Sequence, residues 1–220
     1  MTYSHHLPPI PEGRPASPST PQRSRSNSPQ DRKAARQLRV SILRPAQVHE
    51  KVCKFIRAKA FHHIAKLMGT LRDFDLYASC AGKLLSGNYD GIPVPDELRG
   101  ALARGLSKTC QDWTVTDVQA FEKAGVLNAT VDSLNLRDIG MELSAHNGKD
   151  EVFKTLLGSR DRKKTLSHAV ESNMAGVVRA IISEKTLHSS DFSKDEQAAL
   201  LSQSKDTPDT HHRLLQLFSS

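Results

Sequence analysis

Two glycine–lysine steps, Gly82-Lys83-Leu84 and Gly148-Lys149-Asp150, carry the residue types that close a phosphate-binding loop. Such a loop also needs a glycine five positions earlier and a Ser or Thr directly after the lysine, so that amides cradle the phosphates and a hydroxyl reaches a magnesium ion. Both requirements fail at both places. The two steps read as glycines at the start of a helix or inside one. The histidine pairs His5-His6, His62-His63 and His211-His212 are adjacent. Neighbours on a helix point about 100° apart and chelate one ion poorly, and no cysteine stands at ligand spacing to any pair, so no metal ligand is assigned. Cys53, Cys80 and Cys110 are odd in number, widely spaced and set in or beside apolar helical stretches. They fit packed thiols in a reducing, intracellular compartment, and a nucleophile has no partner that spacing identifies. Kinase, hydrolase and dinucleotide fingerprints are absent. The reading is therefore not an enzyme, with no catalytic, cofactor-binding or metal residue; an enzyme of unfamiliar type would show itself as a polar cleft with converging titratable groups.

Surface candidates are more numerous. The run from Gly87 to Pro95 is dense in turn residues and reads as an exposed loop carrying Tyr89, Asp90 and Ile92. Trp113, the sole tryptophan, lies between two helical stretches and either anchors a partner or packs beneath the loop. His146 and Lys149 flank the Asn147-Gly148 link between two helices and join the partner-facing set. Arg160, Arg162, Lys163 and Lys164 form a basic run that is either a solvated turn, an anion patch or a nuclear import signal.

Composition separates a tail from a body. Residues 1–48 hold eight cations against two acids, +6 of the whole-chain +7, while the rest sums to 23 against 22. The pI of 9.4 thus describes the tail, and the body carries no basic bias. Seven of the eleven prolines fall in the first 30 residues, among serines and almost no large apolar side chains. A segment of that kind cannot offset its ordering entropy, so residues 1–46 are expected to be disordered. Seven prolines also break the amphipathic helix of a transit peptide, and no apolar stretch matches a secretory signal or a membrane span. Ser17-Pro18, Thr20-Pro21 and Ser28-Pro29 are proline-directed phosphorylation candidates, and Arg23-Ser-Arg-Ser26 suits basophilic kinases. The tail's arginines from Arg23 to Arg44 would also serve a nucleic-acid-binding protein whose helical body provides assembly.

The body, residues 47–220, reads as all-α. Its apolar residues are mostly Leu, Ala, Val and Ile at helical spacing, and aromatics are 5% of the chain. Helices are predicted over Asp31–Leu43, Val48–Met68, Asp73–Leu85, Asp96–Lys108, Thr116–Lys123, Leu136–His146, Lys149–Leu157, Lys164–Ser172, Met174–Ser183, Ser193–Gln203 and Pro208–Phe218. Thr114 or Thr116 caps one of them, and Ser193 with Glu196 forms a capping box. Five of these stretches end alike, at Leu84-Leu85, Ala120-Phe121, Leu156-Leu157, Ile181-Ile182 and Leu217-Phe218, at intervals of 36, 36, 25 and 36 residues. Such recurrence marks stacked helix pairs that bury their apolar faces only against neighbours.

Residues 163–182, KKTLSHAVESNMAGVVRAII, resemble the two helices of an ankyrin repeat, and residues 143–157, LSAHNGKDEVFKTLL, resemble its later part. The pattern is degenerate: Lys164-Thr165 stands at the Thr-Pro and Ser167 at the His. The 25-residue interval also leaves too little chain for the protruding hairpin between Leu157 and Thr165. The resemblance implies an ankyrin-like solenoid without cofactor, in which Tyr89, Asp90 and Ile92 sit at an inter-repeat finger and help to recognise a protein partner. A five-helix SAM-like domain over Trp113–Ser159 is the competing local reading, from Trp113, Asp117-Val118 and Asp138-Ile139-Gly140. The Ser- and Pro-rich start is similar in composition to that of bacterial type III secreted effectors, which implies an adaptor or a secreted virulence effector acting in a host cell.

Overall fold

The computed structural model describes residues 43–219, so all but the last residue of the helix predicted over Asp31–Leu43 lies outside it, as do the candidate sites Ser17, Thr20, Ser26 and Ser28. The described chain is mostly helical. Helices α1 Pro45–Arg57, α2 Phe61–Met68 and α3 Phe74–Leu85 lead to a hairpin of β1 Asn88–Tyr89 and β2 Ile92–Pro93. Helices α4 Asp96–Ser107 and α5 Val115–Lys123 follow, then a second hairpin of β3 Thr130–Val131 and β4 Leu134–Asn135. The remainder is α6 Leu136–His146, α7 Asp150–Leu157, α8 Arg162–Glu171, α9 Ala175–Ser183, α10 Lys194–Gln203 and α11 Pro208–Phe218. Eleven helices thus stand among the described residues.

The continuous helix predicted over Val48–Met68 is instead two, α1 and α2, broken at Lys59 with φ +52°. The same break separates α6 from α7 at Gly148, φ +67°, and α8 from α9 at Asn173, φ +55°. In each the residue after the left-handed one donates its amide to the carbonyl five positions back: Ala60 to Phe55 (2.9 Å), Lys149 to Ser144 (2.8 Å) and Met174 to Ala169 (2.8 Å). A left-handed residue with such a bond is an efficient way to end one helix and reverse into the next, because it satisfies carbonyls that the helix end leaves open.

The two hairpins repeat as well, 42 residues apart. Each pairs two residues with two through a turn whose central residues both have positive φ: Asp90 (+49°) and Gly91 (+83°), then Asp132 (+47°) and Ser133 (+76°). That turn matches the right-handed twist of short strands. The stretch predicted as an exposed loop, Gly87–Pro95, is therefore ordered by a hairpin. Between α7 and α8 the chain turns without strands over residues 158–161, as the short interval predicted.

Helices pack on the next, second or third helix along the chain: α3 on α4 and α5, α4 on α6, α5 on α7, α6 on α7 and α9, α8 on α9 and α10, and α9 on α11. Residues 113–159 hold three α-helices and a hairpin, not the five helices of a SAM-like domain. Five helices are capped by a local side chain: Asp73 accepts from the Leu76 amide, Asn135 from Asp138 and Asp161 from Lys164, while Thr114 with Asp117 and Ser193 with Glu196 form capping boxes. The N-cap residue of α9, Met174, offers no such side chain. Glu142 of α6 supplies the cap from outside, accepting from the Gly176 and Val177 amides at 3.0 Å each.

Two buried charges tie the middle of the fold together. Arg137 reaches Glu122 on α5 at 2.6 Å and the Leu156 carbonyl at the end of α7 at 2.9 Å. Asp138, 2% exposed, meets His168 of α8 at 3.0 Å. The closest backbone approach is between α3 and α5, where a Cβ on Gly82 would stand 2.0 Å from the Ala124 carbonyl oxygen.

Two substitutions test these points. Gly82→Ala must push α3 from α5 and is expected to cost about 1–3 kcal/mol in chemical denaturation. Ser133→Gly removes a side chain from left-handed backbone and is expected to raise stability by about 0.5–1 kcal/mol, seen as a higher denaturation midpoint.

Candidate interaction site

An apolar groove lies between α2 and α4 with α3 as its floor. Phe61, Ile64 and Met68 line one wall, Leu98, Leu102 and Leu106 the other, and Tyr77 and Leu84 lie between them. It encloses about 510 Å³ and opens to solvent. The reason is sequence: small residues, Ala65 and Gly69 on α2 and Ala101 and Gly105 on α4, stand four apart on the facing edges of both helices. Residues four apart share a helix face, so neither wall grows side chains long enough to close the gap. Lys66 on α2 and Arg104 on α4 are exposed and, among the described residues, have no ion-pair partner. Glu97 stands at the start of α4.

A second, polar cleft of about 500 Å³ lies on the other side of α3, lined by His49, Asp73, Asp75, Ser79, Lys83 and Lys123. Beside it the first hairpin is locked down. The Tyr89 hydroxyl sits 2.6 Å from His49 Nδ1 and donates to Cys80 Sγ at 3.2 Å. Lys83 Nζ donates to Asp90 Oδ1 at 2.6 Å and lies 5.6 Å over the Tyr89 ring. Burial raises the pKa of Tyr89 far above the ordinary phenol range, and the contact with Cys80 adds to this. Burial also raises Cys80 and takes Cys110 up to about 12, so neither thiol carries the thiolate that a nucleophile requires. Burial pushes His49 below its ordinary value, Lys83 adds to the effect and Asp90 opposes it.

The sequence-predicted residues fall into three places. In the hairpin, Tyr89 is fully buried, Ile92 half-buried and Asp90 exposed but paired with Lys83. Tyr89 therefore belongs to the core and not to an exposed finger. Trp113 is 4% exposed and packs on Phe121 (ring centroids 5.0 Å), which in turn meets Phe74 at 5.0 Å. It holds the molecule together from inside and has no surface left for a partner. Beyond it, Lys149 Nζ donates to the Gln111 carbonyl at 2.6 Å, and His146 is exposed at the end of α6. Among the described residues no hydrogen bond or ion pair joins the hairpin to this second group.

The third place is the basic run. Arg160 points to Asp138 at 3.7 Å, Arg162 to Glu184 at 3.6 Å, and Lys163 to Glu196 at 2.8 Å while lying over the Phe192 ring. Only Lys164 of the four lacks an ion-pair partner among the described residues. The run stitches α8 to its neighbours and offers little free charge to an anion. Gly82-Lys83 and Gly148-Lys149 hold a helix crossing and a helix link. Among the described residues no three His, Cys, Asp or Glu side chains converge on a metal position, and no helix is long and apolar enough to cross a membrane.

The His49 shift has a measurable consequence. The unfolded histidine keeps its usual value near 6.5 and the folded one lies lower, so as pH falls below about 6.5 the unfolded chain takes up the proton first. Stability contributed by neutral His49 is present above that pH and is lost as pH falls toward the folded value. The midpoint of thermal unfolding should therefore drop less between pH 7.5 and 5.5 in His49→Gln than in the parent chain, measured by circular dichroism.

No protein-family model matches the chain, and no curated protein or solved structure does.

Proposed function

We propose that the protein is a non-enzymatic interaction module, an ankyrin-like stack of helix pairs that takes an amphipathic helical segment of a partner protein into the groove between α2 and α4. The observation that carries the reading is the groove itself: its lining is predominantly apolar, it is open, and small residues keep its two walls apart. Helix-in-groove recognition uses this geometry, with apolar anchors repeating along one face of the bound helix. Lys66 and Arg104 on the two walls favour a segment whose polar face is acidic. The stack is supported by the shared left-handed links at Lys59, Gly148 and Asn173, by the two equivalent hairpins, and by helix packing that runs mainly between successive pairs. Such a surface suits an adaptor or a secreted effector.

The buried thiols favour binding over chemistry, while the titratable side chains that line the second cleft, His49, Asp73, Asp75, Lys83 and Lys123, are the feature on which an enzymatic reading would rest.

The test is affinity capture from cell lysate with nuclease present, comparing the parent chain, Ala101→Glu in the groove and Ala198→Glu on the exposed side of α10. Capture of one protein, reduced at least about tenfold by the first substitution and unchanged by the second, is the expected outcome; a change of 1.4 kcal/mol suffices for that factor. Equal capture by all three chains would remove the groove from the account.

A further inference from the structure

The near-neutral total of the body conceals a division. Residues 49–72, which span most of α1, all of α2 and their flanking turns, hold six cations and one acid, Glu50, whereas residues 73–220 hold 17 cations and 21 acids. The structure shows what becomes of the six. Lys51, Lys54, Arg57, Lys59, Lys66 and Arg72 are all exposed, and among the described residues none has an ion-pair partner. Elsewhere in the body eight of the 17 cations have an ion-pair partner, among them Lys83 with Asp90, Arg137 with Glu122, Lys163 with Glu196 and Arg213 with Asp209. The burial of Val48, Val52 and Ile56 turns the opposite side of α1, with Lys54 and Arg57, to solvent, and the burial of Ile64, Leu67 and Met68 does the same for Lys66 on α2.

Aromatic rings lie among these charges. His62 and His63 are exposed and their rings stand 3.9 Å apart, and His63 meets Phe55 at 5.2 Å. Unpaired cations interleaved with exposed rings match what a single-stranded nucleic acid requires, since its phosphates seek the cations and its unstacked bases seek a ring face. An anionic membrane would want large apolar side chains to insert beside the charges. The α1–α2 surface has none, because the exposed large hydrophobic residue among those described is Leu215 on α11.

We propose that the outer surface of α1 and α2 binds single-stranded nucleic acid, with phosphates on Lys54, Arg57, Lys66 and their neighbours and a base against His62. This goes beyond the protein-binding groove and does not depend on it, although His62 also borders that groove and Lys66 lies on one of its helices. The chain that precedes α1 is also rich in arginine, so the test must separate the two contributions.

The full chain is titrated into a labelled single-stranded RNA of about 20 nucleotides, followed by fluorescence anisotropy over a salt series. Three variants accompany it: Lys54→Gln/Arg57→Gln/Lys66→Gln, Arg32→Gln/Arg36→Gln/Arg39→Gln, and His62→Ala. The first should weaken binding at least about tenfold and lower the salt slope by about 2, the loss of three phosphate contacts at about 0.7 each. His62→Ala should weaken binding roughly tenfold with the slope unchanged, which is the mark of lost stacking. Lys54, Arg57, His62 and Lys66 are exposed, and unchanged melting curves confirm that each variant folds. The proposal is overturned if the first variant binds like the parent, if the Arg32, Arg36 and Arg39 changes alone remove all binding, or if the chain binds phosphatidylserine vesicles and not the RNA.

Discussion

The packing of α3 against α5 constrains everything placed around it. With no side chain at Gly82, the Ala124 carbonyl comes within what would be 2.0 Å of a Cβ. That approach brings Phe121 of α5 onto Phe74 at 5.0 Å and lets Trp113 close the cluster from the other side. A second tight spot lies beyond the tryptophan, where a Cβ on Gly140 would come 3.2 Å from its ring. Large rings thus fill the centre, and close backbone contacts at two glycines make the room for them. Because α3 is buried along Leu76, Ala78, Cys80, Ala81 and Leu84, it serves as the floor of the apolar groove on one side and as the wall of the polar cleft on the other. Both openings owe their shape to where α3 is held.

The helical content of the chain was legible because it rests on periodicity, and several helix ends were legible because capping chemistry is local. Leu136–His146 and Pro208–Phe218 begin and end where the spacing and caps place them. The break between α1 and α2 was not legible. Asn147-Gly148 and Asn173 announce a left-handed residue by type, whereas Ala58-Lys59-Ala60 is built from good helix formers. At Lys59 tertiary packing overrides local preference: the turn lets Phe55 reach His63 and sets Val48, Val52 and Ile56 beside Ile64, Leu67 and Met68 in one core. Its resemblance to the other two links is visible only in the backbone.

Sites were harder to read than elements, and for a physical reason. Tyr89 and Trp113 stood out by residue type, but large amphipathic rings serve cores and interfaces equally well, and each here has a polar partner that fixes it inward: Cys80 and His49 for the tyrosine, Thr109 for the tryptophan. The basic run at Arg160–Lys164 stood out by charge, yet its acidic partners, Asp138, Glu184 and Glu196, lie 22, 22 and 33 residues away and are brought to it by the fold. The groove had a weaker but usable signal. Ala65 and Gly69, and Ala101 and Gly105, share one spacing on two helices, which marks facing edges without bulk, but sequence does not say whether a third helix fills the space between them.

Charge shows the same limit from the other direction. A total near zero over residues 49–220 is compatible with a uniform surface and with two opposed ones, and only the pattern of pairing distinguishes them. Arg137, Arg162 and Lys163 each reach a carboxylate from another part of the chain, because the fold brings both signs together there. The first pair has a neighbour on one side only among the described residues, so its outward cations meet no such carboxylates. An outer face rich in Lys and Arg, with two exposed imidazoles and one carboxylate, is selected by a polyanion more readily than by solubility alone, since solubility is met by mixed charge.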